Sequence, residues 1–255
     1  MNLKKTVLVS AAMAGSLWSL AVSAQPFTYS AGDLFVAFRS TTAANDLLVD
    51  LGAPGSLNTS GVNDALLTSV FGGLDGIYWS VFGYQTPQNT LWTTSPRSDF
   101  SAQTDATPSA GAGGQAIVAS YINGMLNGAT TYGTALSGSA VEIPSGLNSE
   151  GYISYTVGVA TFQGPTHPGD FHGSWIPVEN YTGSGFAGSG VPSVSDLYQN
   201  NPGNPLTTVG MYLGDFTLGN DGSLTFSPVP EPGAWALLGT GLLTLLAARR
   251  NGRQS

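Results

Sequence analysis

MYLGDFTLGNDGSLTF, residues 211–226, consists of two alternating apolar runs joined by Gly-Asn-Asp-Gly. An Asn-Asp-Gly turn between such runs is a hairpin signal, because Asn, Asp and Gly tolerate the positive φ angles that tight turns demand. The spacing predicts strands over 211–218 and 223–226. Similar short runs, bounded by turn residues, recur upstream at 33–38, 46–51, 77–84, 90–93 and 152–162. The last of these is rich in β-branched residues, which favour strands. Two runs read as helices. Residues 61–71 place Val62, Leu66 and Val70 on one stripe, with Ser60 as N-cap. Residues 115–126 place Val118, Ile122 and Leu126 on another, with Asn127-Gly128 as C-cap. Residues 95–114 and 182–204 read as long loops, the second with a short turn at 194–198.

Composition supports a β-rich chain. Of 255 residues, 42% are hydrophobic, enough for a core, yet only 9% are charged, against roughly 25% in ordinary domains. Glycine, serine, threonine, asparagine and proline replace the missing charge, and they favour turns over long helices. Between residues 25 and 229 only Arg39 and Arg97 are basic, against fourteen acidic residues. Nucleic acid is excluded as a partner, because phosphate binding needs clustered Lys and Arg. The absence of cysteine excludes disulfides, thiolate chemistry and cysteine zinc sites.

Both ends differ from this middle. Lys4 and Lys5 precede an apolar run over 6–20 and the small residues Ala21-Val22-Ser23-Ala24. This is the pattern of a signal peptide, residues 1–24, cut between Ala24 and Gln25 by signal peptidase after passage through the Sec translocon. At the other end, Val229-Pro230-Glu231-Pro232 precedes sixteen uncharged residues, 233–248, and then Arg249, Arg250 and Arg253 in a basic tail, 249–255. A helix of that length spans about 24 Å, short of the roughly 30 Å hydrocarbon core. It reads as a short transmembrane helix with its arginines held on the cytoplasmic side. Each proline pushes the residue before it into extended geometry. The peptide ahead of the helix is therefore extended and accessible at the membrane surface.

The order of Val229-Pro230-Glu231-Pro232, apolar helix and terminal arginine cluster resembles the PEP-CTERM sorting signal of Gram-negative bacteria. The resemblance implies recognition of Val229, Pro230, Glu231 and Pro232 by an integral-membrane exosortase. It implies the helix as a transient anchor, and Arg249, Arg250 and Arg253 as the stop-transfer cluster. It also implies passage through an inner-membrane intermediate to the cell surface or extracellular matrix, with exopolysaccharide as a further partner.

The expected architecture is mainly β: a sandwich-like antiparallel β domain over residues 25–228 with one or two short helices, plus the signal peptide and the C-terminal transmembrane helix of the sorting signal, 229–255. Chemistry-bearing residues are few. His167 and His172 flank Asp170 in a Gly/Pro-rich loop, at a spacing that matches no familiar metal or acid–base site. Glu142, Glu150 and Glu179 fall in loop-like text. No catalytic residue, resident metal or cofactor is expected; calcium is the one ion considered, at the acidic Asn220-Asp221-Gly222 turn. Trp79, Trp92 and Trp175 suit either a β-domain core, the reading preferred for each, or a sugar-binding platform. The passenger is expected to be a structural or adhesive, non-enzymatic surface protein. The alternatives are a secreted carbohydrate-binding module and a secreted hydrolase.

Overall fold

A computed structural model of the chain describes residues 26–86, 90–98, 103, 112–145, 178–200 and 210–229. The strands are β1 (Leu34–Ser40), β2 (Asn45–Gly52), β3 (Ile77–Gln85), β4 (Thr90–Pro96), β5 (Thr134–Ala135), β6 (Ala140–Pro144), β7 (Asn180–Tyr181), β8 (Ser193–Asn200), β9 (Met211–Leu218) and β10 (Leu224–Pro228). The helices are α1 (Asp64–Phe71), α2 (Ala112–Tyr132) and a single turn, α3 (Phe186–Ser189). Among the described residues all strands join one antiparallel sheet in the order β10-β9-β8-β4-β3-β1-β2-β6-β5, with β7 paired to β3.

β1 lies near the middle, between β2 and β3. Its sequence LFVAFRS is apolar on both sides of the pleat, and all seven residues are buried. That is what a strand needs when both sheet faces are covered. Leu34, Val36 and Phe38 face a core shared with Trp79, Phe216 and Leu218. Phe35 and Ala37 face a second core with Phe82 and Val141. Helix α2 covers this second core with Ile122, Met125, Leu126 and Ala129, spaced i, i+3, i+4, i+7 as one helical stripe requires. The first core draws residues from β2 and from β8, β9 and β10 alike. The β9–β10 turn also lies against the start of α1, where a Cβ on Gly222 would come 2.6 Å from Asp64 Cα. The mainly antiparallel β expectation with few short helices holds: among the described residues the strands form one continuous sheet, and β2 and β8–β10 both contribute to the first core.

The hairpin at residues 211–226 forms as expected, and β1, β2, β3 and β4 lie where the sequence puts them. Other expectations change. α1 starts at Asp64 because Asn63, not Ser60, caps it: Asn63 Oδ1 accepts from the Leu66 N–H at 3.0 Å. Val62 is buried ahead of the helix, and Leu67 is its fully buried residue. α2 runs past Asn127-Gly128 to Tyr132, because Ala129 extends the buried stripe. It stops at Gly133, where any Cβ would overlap the Ala129 carbonyl oxygen and the Val141 side chain. Residues 193–200, expected in a loop, form β8 in the body of the sheet. Glu142 lies on β6, where it accepts from Asn45 Nδ2 at 3.1 Å. The expected strand at 152–162 lies outside the described residues.

Asp50, at the end of β2, is half-buried, and burial pushes its carboxyl up to about 6; the Gly52 N–H bond opposes this and the Asp33 charge adds to it. The folded protein therefore holds a proton there that the unfolded chain releases near pH 4. The stability this proton gives is full below pH 4 and is lost as pH rises to about 6. Asp50→Asn keeps an oxygen for Gly52 and removes the titration. Urea unfolding from pH 4 to 7 should show the variant gaining on the parent as pH rises; parallel curves would show that Asp50 does not titrate this way.

Candidate functional site

The two arginines of the domain both enter the sheet face that carries α2, and each meets carboxylates there. On β1, Arg39 Nε and Nη2 donate to the two Glu179 oxygens at 2.8 and 2.5 Å, with both side chains buried. The guanidinium also lies 4.0 Å from the centre of the Tyr78 ring, a cation–π contact. Tyr78 in turn packs on Tyr181, with ring centres 4.4 Å apart. This stack fixes residues 178–182 against β1 and β3. Thr182 Oγ1 completes the attachment, accepting from the Ile77 N–H and donating to the Leu74 carbonyl.

At the end of β4, Arg97 Nε donates to Asp196 Oδ1 at 2.8 Å, and its Nη2 reaches Asp196, Tyr212 and Asp215. Tyr212 and Asp215 are three apart on β9, so an even pleat would point them to opposite faces. The pairing of β8 with β9 shifts register between Leu197 and Tyr198, and this bulge places Tyr212 opposite Tyr198 and Asp215 opposite Asp196. The extra residue turns both side chains to Arg97, as bulges do when they re-aim a side chain. Gly214 makes it feasible: its φ is +145°, and any Cβ would overlap the Ser227 carbonyl oxygen on β10. Burial, followed by the Asp196 and Asp215 charges, pushes the Tyr212 hydroxyl up to about 12, so it stays protonated. Beside this network, Thr93 Oγ1 and the Asn200 amide atoms are buried without a hydrogen-bond partner.

A cleft of about 310 Å³ opens between Arg97, the segment from Asn180 to Val191, and the start of β8. Its wall is held from outside. Asp75 accepts from the Gly185 and Ala187 N–H groups at 2.8 and 3.1 Å, and these donors, Ala187 first, hold its carboxyl below the usual carboxylate range.

The sequence candidates separate as follows. Trp79 and Trp92 are buried in the first core, so neither is part of a sugar-binding platform; Trp79 Nε1 donates to Ser193 Oγ at 2.8 Å. Asp221 Oδ1 accepts from the Ser223 N–H and hydroxyl within the hairpin turn. Glu179, expected in a loop, is the buried partner of Arg39. His167, Asp170, His172, Glu150 and Trp175 lie outside the described residues, as do Ala24, Gln25, Pro230, Glu231, Pro232, Arg249, Arg250 and Arg253. Among the described residues no helix is long and apolar enough to cross a membrane, and no group of three His, Asp or Glu is placed to hold a metal ion.

The last described strand, β10, runs to Pro228. Pro228 pairs with Gly214, and the Val229 N–H donates to the Leu213 carbonyl at 3.0 Å. Val229 itself is exposed. The sheet thus holds the chain up to the residue that precedes Pro230-Glu231-Pro232. A family model described as the PEP-CTERM protein-sorting motif matches residues 228–251. The chain carries a PEP-CTERM sorting motif. Such a motif implies export, sorting to the surface and an exosortase as processing partner. No curated protein and no solved structure matches the chain.

Gly214→Ala should push Ser227 off β9, release the Tyr212–Asp215 pair from Arg97 and lower stability by about 1–3 kcal/mol. The variant should also become sensitive to proteolysis between β9 and the sorting motif. Unchanged thermal unfolding and unchanged cleavage would show that the bulge does not need glycine.

Proposed function

We propose that this is an exported surface or extracellular-matrix protein, delivered by an exosortase through its C-terminal signal, with a passenger that is structural or adhesive and performs no catalysis. The observation that carries the reading is the sorting motif at 228–251, which begins at the end of β10, beside the Val229 bond to Leu213. A sorting enzyme needs an extended peptide, and the two prolines supply one directly after the domain. In this reading residues 1–24 are the signal peptide, cut between Ala24 and Gln25. The apolar run 233–248 is a transient inner-membrane anchor, and Arg249, Arg250 and Arg253 keep its end in the cytoplasm.

The passenger's chemistry agrees with a structural or adhesive role. Both arginines are tied to carboxylates, and Tyr212, the tyrosine of the Arg97 network, is held protonated. The test is expression of the parent and of Pro230→Ala and Glu231→Ala variants in a Gram-negative host with an exosortase. The parent should lose its tail and reach the surface; the variants should accumulate, uncut, in the membrane fraction. Variants processed and localised like the parent would overturn the sorting role of these residues.

A further inference from the structure

The cleft beside Arg97 has a chemistry that selects one class of ligand. Its volume, about 310 Å³, lies at the lower end of the roughly 300–1,000 Å³ of small-molecule sites. Two large apolar side chains on its rim are held in water: Tyr181 is 47% exposed and Val191 48%. Phe186, buried in the core, forms part of its lining. Ser98 and Ser184, both exposed residues, line the same cleft.

Charge is balanced against anions. The Arg97 guanidinium meets two carboxylates, Asp196 and Asp215, so the cleft offers no net positive charge to a phosphate, sulfate or uronate. A purely apolar ligand would bury the serine hydroxyls without partners, which costs free energy. The ligand that fits has an apolar face, hydroxyls on its edges and no charge. A pyranose ring has that surface: C–H groups on one face to lie on an aromatic ring, and equatorial hydroxyls to exchange hydrogen bonds with serines.

The cleft is also preformed. One side of Tyr181 rests on Tyr78, which Arg39 holds from beyond. Asp75 and Thr182 fix the backbone on either side of Ser184. Ordering the site on binding therefore costs little, as favourable recognition requires. We propose that this cleft binds a neutral saccharide, with Tyr181 as its stacking face and Val191 as a further apolar contact on its rim. The inference goes beyond sorting, and sorting would stand whatever the cleft binds.

The test is calorimetric titration of the purified full-length chain in detergent with cellotetraose, galactotetraose and chitotetraose, with alginate oligomers as the anionic comparison. Binding to at least one neutral oligosaccharide is expected. Tyr181→Ala and Val191→Asp should each weaken it about ten-fold or more. Tyr181→Phe should retain it, and so should Tyr132→Ala, which removes an exposed tyrosine outside the cleft. Unchanged thermal unfolding in Val191→Asp separates loss of this contact from loss of the fold. The proposal is overturned if the parent binds none of the neutral sugars at millimolar concentration. It is equally overturned if Tyr181→Ala and Val191→Asp bind like the parent, or if alginate binds best.

Discussion

The buried pair between Arg39 and Glu179 is the contact on which the rest of the domain's layout depends. The partners are 140 residues apart in sequence. Through them the segment that follows residue 177 is fixed to β1, near the middle of the sheet. Val178 then joins the second core, its carbonyl accepts from Thr94 Oγ1, and β7 pairs with the part of β3 that β4 leaves open. Much of the cleft's lining hangs from this attachment. Two buried charges would be costly apart, and their bidentate geometry over the Tyr78 ring is what makes their burial tolerable.

Arg97 plays the same part at the other half of the sheet. It allows Asp196 to be fully buried in β8 and gathers Tyr212 and Asp215 from β9. A domain with so few charges uses both of its arginines inside. The acidic excess stays in the remaining carboxylates, many of them on turns and strand ends, where Asp75 and Asp221 bond to nearby backbone. The sorting motif adjoins this second network: the bulge at Gly214 that aims Tyr212 and Asp215 also receives Pro228, the last residue of β10.

What the sequence showed depended on whether a segment's burial was visible in its own residues. The 211–226 hairpin, β1 and β3 carry apolar patterns and turn residues that suffice locally. β8, with the sequence SVSDLYQN, does not: Ser195 and Asp196 are buried because Asn180 and Arg97, distant in sequence, satisfy them. Single-chain periodicity cannot see that compensation. The cleft was hidden for the same reason, since Arg97, Tyr181 and Val191 converge through long-range pairing. Glu179 does lie outside the strands, just before β7, but its burial is invisible locally because its partner, Arg39, is on β1. Asn63 and Ser60, three residues apart, are both good capping types, so residue type alone does not select Asn63 as the α1 cap. The sorting motif was legible because linear order alone defines it.

A double-mutant cycle on Arg39 and Glu179 tests the account most directly. Unfolding free energies would be measured for the full-length parent, Arg39→Met, Glu179→Met and the double variant. Each single change leaves one buried charge unpaired and should cost about 3–5 kcal/mol. The double variant should cost far less than the sum, because it leaves no orphan charge. Strictly additive losses would contradict the claim that this pair holds the domain's layout together.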